Sequence, residues 1–319
     1  MACFGNNNED DIVDTIRAMR IQEEKSYLCR NCYHQSTPLS PSGVAAACSP
    51  HEAVTTQTRN VLCDWANKII DFCSLDRETV EIAMSYVDRF AASAKGKEVL
   101  QKSDRFQLLV VTALYVAIKV HETVAISTSQ FEKISRNTFT SQDLESMERI
   151  LLEGLEWKLH PPTSLGFVRS YMELVPSLKM SQAMKDTAFI LCKVQTELAV
   201  RDSALVSARA STIAFASLLN AFEALGMSDS ASGSFTVHCF VSKVANLSLV
   251  NKAVFYDQQI LAPVQARLHQ AIAKQTSVPA FMDASPAPQP CPMTPPSKQG
   301  AHSHKTFENT PRSIIGRSL

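Results

Sequence analysis

The chain has no excess of either charge, no long apolar run, and no proline across two long stretches; each absence removes a class of protein. Its 31 Lys+Arg balance 31 Asp+Glu, for a formal net charge of +0. A domain that tracks phosphates carries a basic stripe, so nucleic acid is not an expected partner. The longest apolar block, Phe106 to Ile118, is interrupted by Gln107 and Thr112 and falls well short of the ~20 residues that cross a bilayer. The opening MACFGNNNEDD lacks both the basic start and the apolar run of a secretory leader. There is no Gly-rich phosphate loop, the acids are scattered, and no Ser or Cys nucleophile is recognisably placed beside a His, so neither an enzyme nor a cofactor is expected. The nine cysteines are dispersed, several of them inside helical patterns, which is the usage of a reducing compartment where thiols act as small hydrophobes. The expectation is a soluble protein of nucleus and cytoplasm.

What is present is helix. None of the 15 prolines lies in 51–160 or 177–262, and an interior proline costs a helix about 3 kcal/mol. The Pro161-Pro162 pair separates two such blocks, and no strand alternation persists anywhere, so the fold class is all-α. The composition divides the chain into 1–50 (a helix and a Ser/Pro-rich linker), 51–160, 161–275, and a Pro/Ser/Thr-rich tail, 276–319, too poor in large apolar residues to form a core. In the first block the spacing predicts helices over about 54–74, from an Asp76 cap to about Ala94, and over about Asp104–His121. A short helix opens at Ser127 with Gln130, and another runs from a Thr140 cap with Asp143 to about Trp157. The third is apolar on every side and must be enclosed by the others. The second block predicts a linking helix over Thr163–Val175, then helices at about 182–199, 209–225, 235–246 and 250–274, with a short turn near 203–208.

Arg59, Asp88, Leu108, Lys119 and Glu148, set in the words RNVLCDW, YVDRF, AIKVHE and MERILLEGLEW, resemble the cyclin box. The likeness is strong over 50–175 and weaker over 176–275. It implies two tandem five-helix cyclin folds, and a divergent second half with short tails is similar to the diatom-specific cyclins. The resemblance further implies a regulatory subunit that binds and activates a cyclin-dependent kinase in cell-cycle progression, and performs no chemistry itself. Arg59 and Asp88 would be an internal ion pair, with Leu108 in the cyclin-box core. Lys119 and Glu148 would hydrogen-bond the kinase backbone, although alone they read as a solvated pair worth ~0–1 kcal/mol. Val116, Val120, Leu152, Trp157 and Leu159 would surround them as an apolar rim. Val61, Leu62, Trp65 and Gln107 match a patch that docks substrate or inhibitor peptides, or else Leu62 and Trp65 are simply core. Thr58 and Lys68 depart from that patch, since a methionine and a glutamate are usual there. A lysine repels the peptide arginine that an acid attracts.

Other signals compete. Cys29, Cys32, Cys48 and His51 have zinc-ribbon spacing, which would suit a transcription factor of the TFIIB class. The intervening segment lacks strand alternation and knuckle glycines, and the stronger reading makes Asp11–Tyr33 an amphipathic helix packed on the first block. Thr294 and Thr310 precede prolines and suit proline-directed phosphorylation, which could lead to a ubiquitin ligase. A cyclin-fold scaffold that binds a kinase without activating it is the remaining alternative.

Overall fold

The computed structural model describes residues 7–33, 54–175, 180–227, 231–246 and 258–276, and their regular elements are all helical. Helix α1, Asn7–Gln22, continues into a π-helical turn, Glu23–Tyr27. The first repeat follows as α2 (Thr56–Phe72), α3 (Glu78–Ala92), α4 (Gly96–Val99), α5 (Ser103–His121), α6 (Thr128–Ile134) and α7 (Ser141–Gly154). The second comprises α8 (Ser164–Glu173), α9 (Gln182–Arg201), a 3-10 turn at Ser203–Leu205, α10 (Ala210–Ala224), α11 (Ala231–Asn246) and α12 (Gln258–Thr276). No helix among the described residues is long and apolar enough to cross a membrane.

The helix starts are chemical. Thr55, Ser127 and Thr140 each close a capping box with the third helical residue, Thr58, Gln130 and Asp143 respectively, satisfying donors the first turn cannot pair internally. Asp76 accepts the Glu78 N–H at 3.0 Å where α3 begins. Helix α4 had no counterpart in the sequence pattern, because four residues are too few to show a period. Gly96 lets it lie against the end of α3, since a Cβ there would stand 2.0 Å from the Phe90 carbonyl oxygen.

Helix α5 is enclosed as its all-round apolar surface requires, packing against α2, α3, α4 and α7, and Tyr115 meets Phe131 of α6 edge-on at 5.6 Å. Leu109, Val110, Val111, Ala113, Leu114 and Ala117 of α5 are buried with Tyr86, Val87 and Phe90 of α3. In the second repeat α10 holds the equivalent place among α8, α9 and α12. Its Phe215 and Phe222 join Tyr171 and Phe240 in an aromatic cluster. A buried amide ladder crosses three helices: Asn220 donates to Gln195 Oε1 at 2.9 Å and Gln265 donates to Asn220 Oδ1 at 3.3 Å. Every member is bonded, as burial of polar groups demands.

The N-terminal segment corrects one expectation. The helical run ends at Tyr27 rather than reaching Tyr33, and α1 packs on α8 of the second repeat. The cause is its apolar stripe: Ile16 is 0 % exposed within the second core, flanked by Ile12, Val13 and Met19. The chain then runs extended from Leu28 and delivers Tyr33 into the first core.

Candidate functional site

The carboxyl end of α5 and the middle of α7 lie side by side. Lys119 sits in the last turn of α5, where a cation is favoured by the helix dipole, and its Nζ meets Glu148 Oε1 at 3.0 Å. The Glu148 hydrogen bond holds the Lys119 ammonium above its ordinary range against some desolvation. The lysine side chain is 54 % exposed and the glutamate 16 %, so the ammonium keeps donors free while the carboxylate is fixed beneath it. Val120 and Leu152 lie half-buried beside the pair.

Helix α7 ends in a turn built from two consecutive non-glycine residues in the left-handed region, Glu156 at φ +52° and Trp157 at φ +60°. The Trp157 N–H donates to the Leu152 carbonyl at 3.1 Å, closing the turn. The indole stands 68 % exposed. A side chain this exposed contributes little to the core. Leu159 follows, half-buried, its carbonyl accepting from Tyr86 Oη at 2.5 Å and from His121 Nε2 at 2.9 Å. His121 therefore secures this turn. Tyr86 and His121 escaped the sequence reading because their partner is a backbone carbonyl distant in sequence.

Lys119, Glu148, Val120, Leu152, Trp157 and Leu159 all belong to this α5–α7 end of the first repeat. Val116 does not join its surface. It is 1 % exposed within the first core, because α5 is enclosed up to Ile118 and only the final turn emerges. Leu108 packs, partly buried, at the edge of the same core.

Arg59 and Asp88 form a buried bidentate pair, Nε to Oδ1 at 2.9 Å and Nη2 to Oδ2 at 2.7 Å. The pair does more than join α2 to α3. Tyr33 donates to Asp88 Oδ1 at 2.6 Å, and Arg59 Nη1 donates to the Val200 carbonyl at 2.9 Å, so one salt bridge gathers the N-terminal segment and both repeats. Burial pulls the guanidinium down and Asp88 more than offsets it, leaving Arg59 above its ordinary range.

On α2, Val61 is 53 % exposed, whereas Leu62 and Trp65 pack partly buried against the first core. Leu62 and Trp65 thus belong to the edge of the core, and Val61 lies on the surface. Gln107 is half-buried on α5 and Lys68 is exposed. Of the zinc-spaced residues, Cys29 and Cys32 are described and half-buried as free thiols, and burial pushes Cys29 up to about 12. Cys48 and His51 lie outside the described residues, as do Thr294 and Thr310. Among the described residues no group of His, Cys, Asp and Glu is arranged to hold a metal ion.

Residues 15–160 match the family described as cyclin, N-terminal domain. The G1/S-specific cyclin-E of Caenorhabditis briggsae is 33 % identical over 125 residues, covering 39 % of this chain and 24 % of that protein. The G2/mitotic-specific cyclin-B1 of Caenorhabditis elegans is 28 % identical over 216 residues, 66 % of this chain and 54 % of that one. Cyclin-A3-3 of Arabidopsis thaliana is 30 % identical over 161 residues, 49 % and 45 % respectively. The chain thus spans from about a quarter to about half the length of these relatives. A viral cyclin from herpesvirus saimiri shares the fold, with TM-score 0.53 and 16 % identity over 70 % of this chain and 89 % of that one.

Proposed function

Because this chain belongs to the cyclin family through residues 15–160, we propose that it is a regulatory subunit that binds and activates a cyclin-dependent Ser/Thr kinase in cell-cycle progression, in nucleus and cytoplasm. The observation that carries this reading is the Lys119–Glu148 pair, 3.0 Å apart, with the ammonium exposed at the same α5–α7 end of the first repeat that carries the exposed Trp157. An ammonium anchored by one carboxylate still has donors for kinase backbone carbonyls, and the apolar residues around it supply burial on contact. The cyclin would press the kinase's regulatory helix inward, so that its glutamate meets the ATP-site lysine that phosphoryl transfer requires. Binding one kinase state in preference to the other is enough to shift the population. The cyclin itself performs no chemistry.

The test is capture of cyclin-dependent kinases by the native chain and by Lys119→Ala/Glu148→Ala, followed by a phosphorylation assay on the recovered complex. The expected result is a bound, active kinase with the native chain and at least about tenfold weaker capture with the double variant, its circular dichroism unchanged. A kinase that binds but stays inactive would favour the scaffold reading, and no capture at all would sink both.

A weaker prediction concerns α2. If Val61, Leu62, Trp65 and Gln107 dock peptides, Lys68→Glu should tighten binding of an Arg-x-Leu peptide by about tenfold at low salt, with the gain fading as salt rises. An unchanged affinity in titration calorimetry would leave this stripe as core and surface only.

A further inference from the structure

Arg89, near the end of α3, is a half-buried cation that no carboxylate pairs with among the described residues. Its guanidinium lies over the Tyr27 ring at 4.7 Å and over the Tyr86 ring at 5.7 Å. Nε donates to the Ser85 carbonyl at 3.3 Å and Nη2 to the Lys158 carbonyl at 3.0 Å. Nη1 is left without a partner among the described residues. The acids on the surrounding elements are committed elsewhere: Asp88 to Arg59, Glu153 to Lys95 and Glu156 to Lys158. Burial pulls the guanidinium below its ordinary range and no acid opposes it, yet an arginine keeps its charge at any working pH. A cation held partly out of water, with donors to spare, gains from an anion that reaches it.

The space for one is present. A cavity of about 220 Å³ opens between Ser26 and Leu28 of the N-terminal segment, Arg89 and Ser93 at the end of α3, and Glu156 and Lys158 beyond α7. We propose that this cavity is a phosphoryl-binding site, with Arg89 as its fixed fork and Lys158 as its second cation. A carboxylate would match the guanidinium alone, whereas a tetrahedral dianion can take the guanidinium, the ammonium and the Ser26 hydroxyl together. The Ser93 hydroxyl adds no donor, because it is spent on the Phe90 carbonyl at 2.6 Å. Glu156 must turn away for Lys158 to serve. Its hold is weak, since the side chains are 42 % and 74 % exposed and water screens the pair. Arg89 needs no such adjustment: the tyrosine rings and the two carbonyls set its plane before an anion arrives, which lowers the cost of binding.

The site bears on the kinase face through one residue. Lys158, whose carbonyl Arg89 holds, stands between Trp157 and Leu159. An anion drawn to both its ammonium and Arg89 would fix the turn that exposes the indole. This consequence rests on the kinase-face reading, whereas the site stands without it.

The test uses the full chain at about pH 7.5 and constant ionic strength. The probes are inorganic phosphate and the peptide Ala-Ala-phosphoserine-Ala-Ala, beside its unphosphorylated form. Phosphate should give saturating NMR shifts at the Ser26 and Lys158 amides of the native chain. Arg89→Met, with its circular dichroism unchanged, should weaken binding at least about tenfold. Glu156→Gln removes the competing charge at an exposed position and should tighten it by about threefold. A phosphopeptide bound more tightly than phosphate, with the unphosphorylated peptide silent, would assign the phosphoryl group to a polypeptide; phosphate bound more tightly would assign it to a small solute. The proposal falls if neither probe binds the native chain, or if a folded Arg89→Met binds as well as the native chain. It falls equally if Glu156→Gln brings no gain, a readout that remains should Arg89→Met fail to fold. No kinase enters these measurements, so a negative result would leave the kinase reading standing.

Discussion

Replacing Asp88 with alanine should cost about 3–5 kcal/mol of folding stability, read as a lowered midpoint in chemical unfolding of the full chain. The size follows from what the substitution strands. Arg59 is 2 % exposed, so its guanidinium would remain charged and buried with only the Val200 and Arg201 carbonyls as acceptors. Tyr33 would lose the partner that its hydroxyl reaches at 2.6 Å, and an unpaired buried hydroxyl adds about 1–3 kcal/mol in its own right. Because Asp88 gathers α2, α3, the N-terminal segment and the end of α9, the loss should extend to how the repeats are joined. The discriminating comparison is Arg59→Met/Asp88→Leu, which removes both charges and should cost far less than the two single changes summed. If Asp88→Ala unfolds within about 1 kcal/mol of the native chain, the pair is a marker of the fold and not a support for it.

That pair was legible in the sequence through the cyclin-box pattern, which sets Arg59 and Asp88 among apolar helical residues. Apolar spacing and capping residues located the five main helices of the first repeat, down to the caps at Ser127 and Thr140. The family's pattern also paired Lys119 with Glu148, because surface charges carry no periodic signal of their own. Contacts that depend on chain topology were not legible. The hold of Tyr33 on Asp88, of Glu81 on Ser164 and of Glu23 on Ser211 joins residues 55, 83 and 188 positions apart. Composition cannot announce such separations. The N-terminal helix shows the same blindness: its apolar stripe was readable, but the core receiving it was not. Val116 went wrong for a simpler reason. Positions 116 and 120 share a helix face, yet that face passes from core to surface between them, and spacing alone does not say where a helix emerges.

Trp157→Gly should weaken kinase binding by about 2–4 kcal/mol, roughly 30-fold or more, without weakening the fold. The two halves of this expectation have separate causes. An aromatic side chain 68 % exposed contributes little to the core, so its removal costs little packing. Its backbone at φ +60° is one that an L-residue adopts at a cost of about 1–2 kcal/mol, and glycine at almost none. Relief of that strain offsets the greater freedom of glycine in the unfolded chain, and stability should stay within about 1 kcal/mol of the native value or rise above it. Glu156→Gly is the control, since it relaxes the same turn at φ +52° while leaving the indole in place. It should keep kinase affinity unchanged. If Trp157→Gly instead destabilised the chain by several kcal/mol and left kinase capture intact, the indole would be a structural element and the binding face would have to be sought away from the end of α7.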